Sequence, residues 1–185
     1  MATWQDFKKE IKVSEGSISH MYLDTVGKVT VGVGNMLPDV ASSQKLAFVD
    51  RKTMKAATKD EIKAEFEKVS KLTKGLKASA YKKDTTLDLS ATTIDTLLDN
   101  RIETFKKELK LKFPSFDTYP MTVQFALLDM AFNLGSNGLV TKFPSFKKAI
   151  EAKDWTKAAS ESNRPQVSST RNATVKKWLE DAKST

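Results

Sequence analysis

No cysteine occurs in the 185 residues, and histidine occurs once, as His20. The first absence excludes a disulfide framework and any thiolate metal site, so stability has to come from packing. The second leaves only all-oxygen metal coordination, and no calcium-loop spacing is present; the pattern calls for no metal and no organic cofactor. Long apolar runs are also missing. The opening residues Met-Ala-Thr-Trp-Gln-Asp-Phe-Lys-Lys-Glu hold no apolar stretch of signal-peptide length, and nothing approaches the length of a membrane span. A working site outside the cytoplasm would therefore need a helper system for release or delivery, or a longer parent chain. There is no internal repeat and no low-complexity tract.

What is there suits a folded globular chain, with 39% apolar and 29% charged residues. The length allows one domain, or two small lobes around a shared helix, with a real core. Basic side chains outnumber acidic ones 31 to 23, for a formal charge of +8. Such a surface steers polyanions toward the protein, and nucleic acid, anionic membrane and bacterial cell wall all qualify. The lysine pairs at 8–9, 82–83, 106–107, 147–148 and 176–177 are spread along the chain. That distribution reads as solvated helix faces with a diffuse positive field rather than one nucleic-acid stripe.

Helical periodicity dominates. Trp4, Phe7 and Ile11 share one face of an opening helix that Thr3 can cap, and Gly16 ends it by taking a left-handed conformation. From Tyr22 to Asn35 the alternation of Val29, Val31 and Val33 has the period of a strand, preceded by a tight turn at Val26-Gly27-Lys28. Gly32 and Gly34 inside it suggest a bulge or a close backbone approach. Thr58-Lys59-Asp60-Glu61 is a capping-box pattern, followed by the stripe Ile62, Phe66, Val69 and Leu72. Residues 73–90 are polar and irregular and read as a loop or small insertion.

Ile94, Leu97, Leu98, Ile102, Phe105 and Leu109 mark a long helix, and Pro114 and Pro120 bracket the next connection. Thr122–Leu134 is apolar nearly all round, as a buried helix is, and is interrupted by Asp129 and Asn133. Short helices are expected around Phe146–Ile150 and, behind Asp154, around Trp155–Ala159, and a last one carries Val175, Trp178 and Leu179. The three tryptophans, Trp4, Trp155 and Trp178, read as core residues. The expected class is α+β, mainly α, with one small antiparallel sheet near the N-terminus and a helical C-terminal part.

One segment carries candidate chemistry. Glu15 stands at the end of the first helix, Asp24 follows it by nine residues at a glycine-rich hairpin, and Thr30 follows Asp24 by six. Hydrolysis of a glycosidic bond needs one carboxylic acid to protonate the leaving oxygen and one carboxylate to direct a water or to attack. A hydroxyl such as that of Thr30 can hold the water. By spacing alone Glu15 is equally a helix-end carboxylate, Asp24 a turn residue and Thr30 a strand residue. His20 reads as a surface or packing residue. Gly32 and Gly34 do not form a phosphate loop, since neither the glycine spacing nor a lysine follows.

Taken in order, Glu15-Gly16, Tyr22-Leu23-Asp24-Thr25, Gly27 and Val29-Thr30-Val31-Gly32-Val33-Gly34 resemble the catalytic segment of the T-even phage lysozyme family. That family reads Glu-Gly, Tyr-x-Asp-x-x-Gly, then Thr-[Ile/Val]-Gly-[Ile/Val]-Gly-His. Thr58–Glu61 resembles the start of a later family helix, and Ala126–Gly135 its buried central helix. Phe143, Trp155 and Arg171 fall at matching C-terminal places, so the likeness extends over roughly two thirds of the chain.

The resemblance implies a two-lobed muramidase with a cleft between the lobes, acting on peptidoglycan in the bacterial wall or periplasm. The lobes would be a small α/β one over about 15–72 and a helical one over 1–14 plus about 91–185, with 73–90 as an insertion. Glu15 would be the general acid, with Asp24 and Thr30 positioning the water of an inverting attack. Gly34, Met36, Phe132 and Asn133 would line the substrate groove, and Arg171 would support Glu15 electrostatically. An immunity or inhibitor protein is a conceivable partner; nucleic acid and membrane insertion are not expected, and nothing demands more than a monomer.

Departures exist. Asn35 replaces the family histidine, Phe146 stands where the family has a small polar groove residue, and 73–90 is extra. The insertion and the basic charge also fit lysozyme-like domains of pesticin-like bacteriocins and secreted antibacterial effectors. Three other readings stay open: a non-catalytic wall-binding module on the same scaffold, a lytic transglycosylase using the glutamate alone, and a basic helical nucleic-acid binder.

Overall fold

The computed structural model describes residues 3–182. The chain is α+β and mainly helical, with 61% helix and 11% strand. It divides into two compact units: Lys8–Asn100 forms one, and the residues on either side of that stretch form the other. Helices α1 (Trp4–Glu15) and α4 (Ala91–Lys112) each contribute to both. Among the described residues no helix is long and apolar enough to cross a membrane.

The 8–100 unit is built on strand β1 (Ile18–Leu23), which pairs antiparallel with β2 (Val29–Gly32), itself paired with β3 (Asn35–Met36). Strand begins earlier than the valine alternation indicates, because β1 is irregular. Ile18 pairs with Gly32 but Tyr22 with Thr30, so the register shifts between them. A bulge of this kind re-aims side chains, and His20 and Met21, adjacent in sequence, are both buried. All four residues of β2 are buried, so its valines do not alternate between core and solvent.

Val33 is not a strand residue. It sits with Gly34 in the connection between β2, whose last residue is Gly32, and β3, and Val31 pairs with Asn35 across it. Both glycines have positive φ, 67° and 64°. Their place in the sequence is therefore explained by turn geometry that a side chain would strain.

A short helix, α2 (Val40–Ser43), and β4 (Phe48–Asp50) lead into α3 (Lys59–Val69). The capping box at Thr58 and Glu61 is present with both reciprocal bonds. The helix ends at Val69, so Leu72 lies beyond it, while Ile62 and Val69 are buried. Glu65, on the same face, is buried as well.

The largest correction concerns residues 73–90. They form a 3-10 segment, Ala78–Asp84, and a strand, β5 (Leu87–Leu89), which pairs with β4 in a second, two-stranded sheet. Tyr81, Leu87 and Leu89 join the core. Polar side chains from elsewhere hold the backbone. The Glu65 carboxylate accepts the Thr86 amide at 2.6 Å and the Leu87 amide at 3.2 Å. Arg51 makes a two-pronged pair with Asp88, at 2.7 and 3.0 Å, and donates to the Thr85 carbonyl at 2.8 Å. Ser19 donates to the same Asp88 carboxylate at 2.9 Å. Hydrogen bonding to Arg51 holds Asp88 below the usual carboxylate range, whereas burial pushes Glu65 up.

The start of α4 is fixed by Ser90, whose hydroxyl accepts the Thr93 amide. Lys8 on α1 pairs with Asp99 on α4 at 2.7 Å, and Lys12 pairs with Asp95.

In the other unit α5 (Met121–Lys142) is the central helix. It is buried from Val123 to Phe132 except at Gln124, and is broken at Gly135, whose φ of 71° is not helical. Around it lie α6 (Pro144–Glu151), α7 (Trp155–Glu161) capped by Asp154, and α8 (Ser169–Asp181). Phe125 stacks on Phe7 with 5.0 Å between centroids and meets Trp4 and Trp178 edge-on at 4.8 and 5.8 Å. Each such pair adds about 0.5–1.5 kcal/mol beyond its burial. Trp178 is buried, but Trp4 and Trp155 are only half-buried. Phe146 is fully buried.

Asp129, 2% exposed on α5, meets the Arg164 guanidinium at 2.8 Å and Arg171 Nε at 2.9 Å. A buried carboxylate is tolerable in an apolar helix only because these cations compensate it.

Two stability predictions follow from the buried carboxylates. Glu65→Ala is expected to lose about 2–3 kcal/mol in urea unfolding, because a buried amide left unpaired, here that of Leu87, costs about 1–3 kcal/mol and the partly buried Thr86 amide loses its bond as well. Glu65→Gln, which keeps an acceptor oxygen, should lose less than half of that. Asp129→Ala should lose about 3–5 kcal/mol, since it strands buried guanidinium groups. Equal losses for the Ala and Gln variants of Glu65 would contradict the backbone-anchoring role.

Candidate functional site

Glu15, Asp24 and Thr30 come from three successive pieces of the 8–100 unit. Glu15 is the last residue of α1, which stops because Gly16 takes φ of 81°. The chain then turns into β1, and Asp24 follows its last residue.

Asp24 organises the turn it belongs to. Its amide donates to the Lys28 carbonyl at 2.9 Å, and its own carbonyl accepts the Gly27 amide at 3.0 Å. Its side-chain Oδ1 accepts the amides of Val26 at 3.0 Å and Lys28 at 2.8 Å. Asp is suited to this work because its short carboxylate reaches amides two to four residues on. Gly27 supplies the positive φ, 83°, that closes the turn. Both side-chain bonds fall on Oδ1, so the carboxylate is oriented through one oxygen.

Thr30 lies on β2 opposite Tyr22 and is 2% exposed. Its hydroxyl donates to the Lys28 carbonyl at 3.1 Å. A hydroxyl has one proton, so with that proton committed Thr30 offers only acceptor capacity to anything else.

These residues line one open pocket of about 310 Å³, whose walls are Glu15, Tyr22, Leu23, Asp24, Thr25, Thr30, Gly34, Leu76 and Ala78. The structure thus brings together Glu15, Asp24, Thr30 and Gly34. Met36, on β3 and 51% exposed, is not among the walls.

The remaining sequence candidates belong to the other unit. Phe132 is buried on α5, 4.9 Å from the Phe105 ring centroid and 5.0 Å from the Arg101 guanidinium above its face. Asn133 beside it is exposed. Arg171, on α8, directs Nε to both oxygens of Asp129. Among the described residues no group of three His, Asp or Glu side chains is placed to hold a metal ion.

Leu76 and Ala78 were not legible as wall residues, because they lie in the segment whose polarity reads as a loop. Their position is set by anchors distant in sequence. His20 Nε2 is 2.9 Å from the Ala78 carbonyl. A carbonyl only accepts, so Nε2 carries the proton. Of the two readings left open for His20, packing is the one realised: it is 4% exposed in the bulged part of β1.

The sequence matches no protein-family model and no curated protein at a significant level. The likeness of residues 14–37 to a lysozyme segment therefore rests on those residues alone.

Burial pushes the His20 imidazole below its ordinary value of 6.5. The unfolded chain then binds this proton more readily than the folded one, so stability should decline as pH falls below 6.5. Glutamine at this position keeps a donor for the Ala78 carbonyl and does not titrate. The stability difference between wild type and His20→Gln, from urea melts at pH 7.5 and pH 5, should shift in favour of the variant at the lower pH. A pH-independent difference would contradict the assignment.

Proposed function

We propose that this chain is a glycoside hydrolase, a muramidase that cuts the β-1,4 bond between N-acetylmuramic acid and N-acetylglucosamine in peptidoglycan and so lyses bacteria. The observation that carries this reading is the meeting of Glu15, Asp24 and Thr30 on the walls of one open pocket. Their order along the chain, and the glycines between them, are those of the lysozyme segment they resemble.

Glu15 is the general acid. It protonates the glycosidic oxygen as the bond to the anomeric carbon breaks. Asp24 and Thr30 hold the water. Because the Thr30 proton is already given to Lys28, both groups can only accept, so the water directs its two hydrogens at them. Its lone pair is then left to face the anomeric carbon. As the new carbon–oxygen bond forms, the water proton passes to Asp24. The products are a reducing sugar end and a free hydroxyl on the departing sugar, with inversion at the anomeric carbon.

Gly34 contributes backbone to the same pocket. The net charge of +8 favours encounter with the anionic wall, and lysis should weaken as salt rises. No cofactor is required by this chemistry.

Mass spectrometry of purified peptidoglycan digests tests the reading. Wild type should release muropeptides with reducing muramic-acid ends. Glu15→Gln should lower the rate by at least about 100-fold, the scale of a lost general acid. Asp24→Asn keeps Oδ1 to accept the Val26 and Lys28 amides, so it should fold normally yet be comparably inactive. Intact glycan strands after wild-type treatment would leave a wall-binding scaffold as the better account. Anhydro-sugar ends would make the chain a transglycosylase.

A further inference from the structure

Residues 73–78 form a lip that is tied down at both ends and exposed between them. At one end the buried Tyr81 hydroxyl donates to the Thr73 carbonyl at 2.7 Å. At the other, His20 donates to the Ala78 carbonyl at 2.9 Å. Between these clamps Lys74, Gly75, Leu76 and Lys77 are all exposed. Gly75 takes φ of 84° with nothing within 4 Å of where a Cβ would lie, so it serves the bend of the lip and not a close approach.

The lip reaches the site. Leu76 and Ala78 are wall residues of the pocket that holds Glu15 and Asp24. The stem of Lys74 lies along the Asp24 turn, with its Cδ 3.3 Å from where a Gly27 Cβ would stand. Leu76 is 49% exposed, a large aliphatic side chain presented to solvent by backbone that is fixed on both sides.

Three lysines surround this arrangement: Lys74 and Lys77 on the lip and Lys28 in the turn. Among the described residues none of the three forms an ion pair. Lysines elsewhere are often matched, as on α8, where Lys177 pairs with Asp181 at 3.0 Å. Unmatched cations beside a pocket of two carboxylates, next to a held-out leucine, form a surface with an apolar centre and a basic edge.

We propose that this lip is a substrate subsite that recognises a carboxylate-bearing glycan, with Leu76 against the apolar face of a sugar ring and Lys74 and Lys77 on the carboxylate. It deepens the muramidase reading and rests on it. Peptidoglycan offers carboxylates in two forms, those of the peptide stems where a stem is amide-linked to the lactyl group of muramic acid, and the free lactyl acid where the stem has been removed, and the lip suits either. The chain would accordingly favour acid-substituted over neutral β-1,4 glycans.

The test uses the full chain carrying Lys74→Gln with Lys77→Gln, and separately Leu76→Ala. All three positions are exposed, so thermal melts should match wild type. Three substrates are compared: stem-bearing peptidoglycan, stem-stripped strands that keep the lactyl acid, and neutral N-acetylglucosamine oligomers. The double lysine variant should bind acidic glycans roughly tenfold more weakly, the scale of one or two lost charge-assisted contacts. Its affinity for the neutral oligomers should be unchanged. In hydrolysis the same loss should appear as a raised KM with kcat retained. Leu76→Ala should weaken binding to all three.

A loss with stem-bearing material alone would assign the stem carboxylates, a loss with stripped strands alone would assign the free lactyl acid, and a loss with both would make the lip a site for either carboxylate. A control with Lys107→Gln and Lys148→Gln removes the same charge elsewhere and should leave binding intact; an equal loss there would reduce the lip to general steering and overturn the subsite. Unchanged affinity and KM in the lip variant, with hydrolysis intact in wild type, would overturn the subsite while leaving the muramidase reading standing. Absence of hydrolysis by wild type, with lysine-dependent binding to acidic glycans, would overturn the enzyme and retain the subsite.

Discussion

Backbone amides and carbonyls that leave water must find partners, and the 73–90 segment has too little regular structure to supply its own. It is held instead by side chains that reach in from other elements. Glu65 of α3 takes two consecutive amides, Arg51 reaches the Thr85 carbonyl and Asp88, and His20 of β1 takes the Ala78 carbonyl. Much of the 8–100 unit depends on these contacts. They seat β5 against β4, bring Tyr81, Leu87 and Leu89 into the core, and set Leu76 and Ala78 into the pocket wall. A carboxylate and an imidazole are costly to bury, and burial shifts both toward their neutral forms. They are tolerated because the segment they hold would otherwise leave its own polar groups unpaired.

The pocket couples conformation to proposed chemistry in a small space. Asp24 closes the turn after β1 with one side-chain oxygen, so the geometry of the proposed base and the geometry of the hairpin are a single matter. Thr30 is linked to the same turn through the Lys28 carbonyl. The helical unit solves its own polar problem differently. Its buried acid among the described residues, Asp129, is matched by two arginines that arrive from the region before α8 and from α8 itself.

Local signals in the sequence were dependable where the physics is local. The capping box at Thr58, the helix stop at Gly16, the turn at Gly27 and the apolar run of α5 all involve residues within a few positions of one another. Glu15, Asp24, Thr30 and Gly34 were singled out by the resemblance of their segment to a lysozyme sequence, since their spacing alone fits turn and strand residues equally well. What could not be read depends on distant partners. The bulge in β1 hides a strand by burying His20 and Met21 side by side. Strand β5 is three residues long and is specified by β4 and Arg51, so its own composition shows no period. Gly32 and Gly34 were legible as special positions, yet only the pairing of Val31 with Asn35 reveals that they make a turn.

The division of the chain has a consequence for its synthesis. The unit Lys8–Asn100 is continuous, whereas the other is split around it, with Phe7 and Trp4 at the start and Phe125 and Trp178 far downstream. On a ribosome adding about 5–20 residues per second, Phe7 emerges on the order of ten seconds before the ring it stacks on. The continuous unit, with its pocket, has all of its residues available first. The opening aromatics wait for α5 and α8, and during that interval they are the exposed apolar surface a chaperone would meet.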